Sequence, residues 1–243
     1  MSMMSAVSDM EAGLDTLRHW FSNKLDRVVE YAQFLYVQRW TGFTVSGAPE
    51  FEAQAVPFFL DLLTTAGAYL EFGMGGSTVL AAMNGVCFVS VDSDRHFMRA
   101  VKDKIKQIGR LDPERQTFIH GDIGPTAAWG IPVLQRATPS RVERWRRYLQ
   151  APWAAMMDKP GPYLVLVDGR FRVACALSAA KNLDASQTQI LIDDYEGRDH
   201  YRVVERHLEL RQRCGRMALF TPRADIDAKS LDADIEKYSA DWR

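Results

Sequence analysis

The stretch Glu71-Phe72-Gly73-Met74-Gly75-Gly76-Ser77-Thr78 sets an acid, a glycine turn and two hydroxyls between an apolar strand, Ala68 to Leu70, and a helix-like run, Thr78 to Met83. Glycine serves where a backbone takes positive φ or lets a ligand come within contact distance, and the helix N-terminus beyond it offers free N–H groups. A second apolar strand, Val86 to Val91, ends in Asp92, nineteen residues past Gly73. An acid at that strand tip is placed to accept hydrogen bonds from both hydroxyls of a ribose. The pattern is that of a nucleoside-cofactor site.

The glycine spacing bears on which cofactor. A dinucleotide fold asks for G-x-G-x-x-G, and Thr78 stands at the third position. Glu71 would repel a pyrophosphate and suits a cationic ligand. The pattern E-x-G-x-G-x-[ST] followed by an acidic strand tip resembles the first two motifs of the class I S-adenosylmethionine-dependent methyltransferases. By that resemblance Gly73 and Gly75 admit the methionine and ribose portion, Glu71 holds the amino end directly or through water, and Asp92 takes the ribose hydroxyls. Ser77 and Thr78 belong to the same binding turn. Asp122, in His120-Gly121-Asp122-Ile123-Gly124, falls where the family contacts the adenine amino group; the ordinary alternative is a loop aspartate bonding its own backbone.

The remaining strand tips are also acidic: Asp168 after Tyr163 to Val167, and Asp193-Asp194 after Gln189 to Ile192. Helix capping accounts for any one acidic tip and poorly for all five. The segments ending in Asp168-Gly169-Arg170 and Asp193-Asp194-Tyr195 are similar to the fourth and fifth strand tips of the catechol-type and macrocin-type O-methyltransferases, where such acids hold a divalent cation against the substrate oxygens. That resemblance implies Mg²⁺ on Asp168, Asp193 and Asp194, an ion that prefers oxygen ligands. The catechol-type pattern expects a lysine where Phe171 stands, and Arg170 and Arg172 flank it. An arginine can pair with the same carboxylates and replace the metal, or clamp an anionic substrate. Asp168 is the expected catalytic base, assisted by Asp193 or Asp194, and Arg170 is the other expected catalytic residue.

Between Asp122 and Tyr163 the connection has about twice the usual length for a βαβ unit. It carries Trp129, Arg136, Arg141, Trp145, Arg146, Arg147 and Trp153. Val142, Trp145 and Leu149 form one apolar stripe of a helix, while Arg141, Arg144 and Arg147 share another. A substrate-covering lid is the preferred reading, ahead of a solvated helix face and of an RNA-binding patch. No G-x-S-x-G nucleophile turn is present, which disfavours hydrolase chemistry.

These residues need a sheet edge to hold them. Apolar segments Tyr69 to Phe72, Cys87 to Val91, Thr117 to Ile119, Tyr163 to Val167, Gln189 to Ile192 and Met217 to Phe220 alternate with helical stretches Thr78 to Met83, Phe97 to Ile108, Phe171 to Leu183 and His200 to Leu210. The expected fold is α/β, a doubly wound, mostly parallel, Rossmann-like sheet with N-terminal helices and a helical insertion after the third strand. One domain is expected over 1–243: a disordered start at 1–12, helices over 13–65, an α/β core over 66–222 with its insertion at 124–162, and a helical tail at 223–243. The family sheet closes with an antiparallel hairpin, but the tail after Pro222 is too short, so the seventh strand is expected to be missing or displaced.

At 243 residues and 47% hydrophobic, the chain can bury a full core. Thirty basic against thirty-one acidic residues give no overall field for nucleic acid or an anionic membrane. Cys87, Cys175 and Cys214, unpaired in pattern, suggest buried thiols of a reducing compartment, and no apolar run spans a membrane, so a cytoplasmic protein acting on a small molecule is expected. The resemblance implies O-methylation from S-adenosylmethionine. The rivals are a methyltransferase-like scaffold without catalysis and an NAD-dependent oxidoreductase.

Overall fold

The computed structural model describes residues 28–243. The expected disordered start at 1–12 and residues 13–27 of the expected N-terminal helices lie outside the described residues. The chain divides after Gly42 into two units. In the first, residues 28–36 are helical and continue into a π-helical turn, Val37–Thr41, with the Tyr36 and Trp40 rings stacked at 6.1 Å. The second unit is Phe43–Arg243.

Seven strands form one sheet: β1 Ala68–Phe72, β2 Phe88–Asp92, β3 Gln116–His120, β4 Tyr163–Val167, β5 Thr188–Ile192, β6 Leu208–Cys214 and β7 Met217–Pro222. Their order is β3-β2-β1-β4-β5-β7-β6, with β1 to β5 parallel and β7 antiparallel to both of its neighbours. The strand order reverses between β1 and β4, and in sheets of this kind ligands bind beyond the carboxyl ends of the strands at that switch. The helices are α1 Ala55–Thr65, α2 Gly76–Met83, α3 Arg95–Gln107, α4 Pro139–Gln150, α5 Trp153–Met156, α6 Arg172–Asn182 and α7 Ala228–Tyr238.

Alternation along the strands feeds two cores. Leu70, Phe72, Val165 and Val167 face α4, α6 and α7, whereas Tyr69, Phe88, Leu164 and Leu166 face α1, α2 and α3. Strands buried on both faces are apolar throughout, and for that reason Tyr163 to Val167 is legible as a strand without any polar alternation. Among the described residues no helix is long and apolar enough to cross a membrane.

Two expectations are corrected. His200 to Leu210 is not an α-helix: a 3-10 segment covers Asp199–Arg206, and the chain then extends as β6. The helical spacing of Tyr201, Val204 and Leu208 runs directly into the two-residue alternation of Leu208 and Leu210, so the two periods overlap. The seventh strand is present, since β6 and β7 make the antiparallel hairpin through a two-residue loop whose Gly215 has φ 61°. β6 is an edge strand, and exposed Glu209, Arg211 and Arg213 blunt it. Of the three free cysteines only Cys175 is buried; Cys87 and Cys214 are half-buried.

Candidate active site

The turn leaving β1 lies at the topological switch. Gly73 has φ 101°, and a Cβ there would stand 2.6 Å from the Gly169 amide nitrogen in the loop after β4. Gly73 is therefore required by the closeness of two loops. Gly75 is extended, and a Cβ there would meet nothing within 4 Å, so open space lies in front of it. A Cβ on Gly76 would collide with the Ala48 carbonyl, because the Ala48–Pro49 segment crosses the start of α2.

Asp92 closes β2 beside this turn. Its Oδ2 accepts the Met74 amide at 2.9 Å and its Oδ1 the Asp94 amide at 2.7 Å, which fixes turn and carboxylate to each other. A carboxylate has about four lone-pair sites, so each oxygen keeps a further acceptor position. Burial raises its pKa to about 6 against the opposing effect of those amides.

Glu71, on the α2 side of the sheet, is fully buried. Its carboxylate accepts the hydroxyls of Ser77, of Thr78 at 2.5 Å and of Ser90 at 2.9 Å, and Thr78 Oγ1 in turn accepts the Gly75 amide at 3.0 Å. Glu71, Ser77 and Thr78 thus hold the turn from behind. Glu71 takes this supporting place because alternation on β1 sends residue 71 to the face covered by α2. Desolvation raises the Glu71 pKa to about 7, although the hydroxyls lower it.

Beyond β4 and β5, Arg172 organises the acidic tips. It is 4% exposed, and donates to Asp168 Oδ1 at 3.1 Å, to Asp194 Oδ2 at 3.3 Å and to the carbonyls of Asp168, Gly169 and Asp193. Arg198 reaches Asp194 at 2.7 Å, and Arg216 stands 2.8 Å from Asp194 and 3.8 Å from Asp193. Burial raises the Asp168 and Asp193 pKa values; their mutual repulsion and that of Asp194 add to it, and Arg172 opposes it. Asp168 remains one-third exposed at the edge. The loop is strained, with buried Phe171 at φ 57° between the rings of Trp145 and Tyr148.

Asp122 is half-exposed, and its oxygens take the Gly124 amide at 2.9 Å and Arg144 at 2.7 Å. Asp122 thus bonds both its own loop backbone and the Arg144 side chain of α4. The insertion places α4 in the core: Trp145 is fully buried and donates its indole N–H to the Ile123 carbonyl at 3.1 Å. In place of the expected substrate-covering lid, the stripe of Val142, Trp145 and Leu149 packs α4 into the core. The loop before α4 also reaches the site, where a Cβ on Gly130 would stand 2.8 Å from Ser93 Oγ and 3.8 Å from Arg170 Cγ.

A methyltransferase-like protein from Silicibacter pomeroyi DSS-3 is 31% identical to this chain, with 81% of this chain and 100% of that one covered and a TM-score of 0.69. The chain belongs to the class I S-adenosylmethionine-dependent methyltransferase family. A Podospora anserina methyltransferase solved with S-adenosylhomocysteine is 14% identical, covering 84% and 96% at a TM-score of 0.46. An RNA methyltransferase from Salinibacter ruber, also solved with S-adenosylhomocysteine, is 12% identical, covering 74% and 97% at 0.41. No protein-family model and no curated protein matches the sequence.

Within this methyltransferase frame the donor set at the strand tips does not fit Mg²⁺. Asp168, Asp193 and Asp194 face guanidinium groups, and among the described residues no cluster of three acids, histidines or cysteines is placed to hold a metal ion. The expected metal site is corrected to an arginine network, and its principal cation is Arg172 rather than Arg170. Arg170 makes no ion pair with Asp168; its Nε is buried without a partner among the described residues. Sequence reading passed over Ser93, Gly169 and Tyr148. A Cβ on Gly169 would stand 2.5 Å from the Tyr148 hydroxyl, and no spacing signal in the chain links residues so far apart. The cleft bordered by Gly85, Arg110, Arg115 and Gln116 lies at the opposite edge, where Arg115 and Gln116 bond the Gly85 and Arg110 carbonyls.

Proposed function

We propose that this protein transfers a methyl group from S-adenosylmethionine to an oxygen of a small-molecule acceptor. The observation that carries the reading is the open space before Gly75 beside Asp92, at the switch between β1 and β4 of a methyltransferase-family chain. Gly73, Met74 and Gly75 line the cofactor, and Asp92 takes its ribose hydroxyls on the acceptor positions its amides leave over. The bound cofactor supplies an electrophilic methyl group on a sulfonium. The chain's part is to hold the acceptor oxygen in line with that methyl and to remove its proton. Asp168 takes the proton, since its raised pKa brings a carboxylate toward the range of a useful base, and Arg172 holds the carboxylate in place. The near-neutral overall charge favours a small acceptor over nucleic acid.

Calorimetry with S-adenosylmethionine, S-adenosylhomocysteine and NAD tests this reading, with binding expected for the first two alone. Asp92→Asn keeps the side-chain shape and loses charge-assisted bonds worth roughly 1.5 to 3 kcal/mol each, so affinity for S-adenosylhomocysteine should fall at least tenfold. Wild-type affinity should also fall as pH drops through about 6, because the protonated carboxyl is a poorer acceptor. Unchanged affinity in a folded Asp92→Asn protein would remove Asp92 from the site. NAD binding in place of S-adenosylhomocysteine would return the chain to oxidoreductase chemistry, and binding without turnover over an acceptor panel to a scaffold.

A further inference from the structure

Three carboxylates at the tips of β4 and β5 face three guanidinium groups. Arg172, Arg198 and Arg216 are committed to Asp168, Asp193 and Asp194. Arg170 stands beside them with no ion pair among the described residues, and partial burial lowers its pKa. A partly desolvated guanidinium without an opposing carboxylate is stabilised by one that a ligand brings. It is the surplus positive charge of the cluster, and the cluster is next to the proposed base, Asp168.

A second feature lies against it. Gly130 passes near Arg170 Cγ, and the residue before it, Trp129, is held at φ 61° with 77% of its surface exposed. A tryptophan in the left-handed region is strained, and exposing its ring forgoes the burial that normally favours so large an apolar group. Both are consistent with a ring kept available for a ligand. The loop is fastened by the Thr126–Pro132 bridge and by hydrogen bonds from Ala127 to Ile131 and from Val133 to Pro125, so the ring sits on ordered backbone.

Resting on the proposed acceptor site, we infer that Arg170 and Trp129 form its recognition end, and that the acceptor is an aromatic acid. Its carboxylate is taken by the Arg170 fork and its ring lies against Trp129. One guanidinium balances one negative charge, and the nearby Asp168 opposes a second, which favours a carboxylate monoanion over a phosphate dianion. Arg170 thus reads the acceptor and Asp168 acts on its hydroxyl.

The probes are benzoate and its neutral isostere benzamide, titrated by calorimetry with and without saturating S-adenosylhomocysteine. Wild type should bind benzoate at least tenfold more tightly than benzamide. Arg170→Gln should erase that preference with the melting temperature preserved, and Arg170→Lys should keep part of it. Trp129→Ala should weaken both probes alike. Equal binding of the two probes, benzoate binding that survives Arg170→Gln, or no benzoate binding by folded wild type overturns the inference. Failure of S-adenosylhomocysteine to bind instead strikes the functional reading, and the titrations without it still decide whether Arg170 takes a carboxylate.

Discussion

At Glu71 a carboxyl group sits in a fully dry position and is satisfied by hydroxyls rather than by a cation. Its pKa is raised from 4.5 to about 7, so the folded state holds the proton more tightly than the unfolded chain. A raised carboxyl pKa gives stability that is present at low pH and lost as pH rises from about 4.5 to about 7, on the order of 3 kcal/mol if the whole shift is expressed. Asp92 adds a loss of the same sign, ending near pH 6. Glu71→Gln cannot ionise, so its urea midpoint should fall less than wild type's between pH 5 and pH 8, measured at about half-unit intervals. Parallel profiles for the two proteins would show that Glu71 does not titrate in this window.

At the scale of elements, α4 shows how an insertion becomes structure. Its stripe buries Trp145, Tyr148 and Leu149 against Phe171 and Phe72, so the helix is held by the core on which the loop after β4 rests. Trp145→Ala should cost about 3 to 5 kcal/mol, read as a lower urea midpoint. Because Phe171 is held in a strained turn by these rings, the same variant should lose acceptor turnover before it loses affinity for S-adenosylhomocysteine; equal loss of both would mean that the whole edge had collapsed. Acids do cap helices here, but they are Asp94 on α3 and Asp227 on α7, whose carboxylates accept amides of the first turn. The acids at the strand tips have other partners.

On the scale of the whole molecule, Arg172 joins the loop after β4 to the tip of β5, and so ties neighbouring strands of the sheet beside the switch. Removing one partner of a buried ionic network leaves uncompensated charge, so Arg172→Leu should lose about 3 to 5 kcal/mol at neutral pH. Part of this should return at lower pH as Asp168 and Asp193, whose pKa values are already raised, take up protons. Destabilisation that is the same at every pH would argue against a role for those carboxylates. Chelator should leave the wild-type melting temperature unchanged, since guanidinium groups already occupy the acids that a metal would need.

Six of the seven strands, the acids at their ends and the glycine turn are legible in the sequence, because these depend on short-range period and on residue type. The sequence placed β4 at Tyr163–Val167 and the tail helix after Pro222 for the same reason. Where each acid points depends on long-range packing. Glu71 turns inward because strand alternation meets α2 on that face, and Ser90, nineteen residues away, supplies a hydroxyl no local pattern connects to it. Arg172 and not Arg170 took the carboxylates, a choice set by Phe171 in the left-handed region, which redirects the chain between the two arginines. The hairpin of β6 and β7 was hidden because helical and extended spacings coincide around Leu208, and pairing with β5, a long-range contact, resolves them.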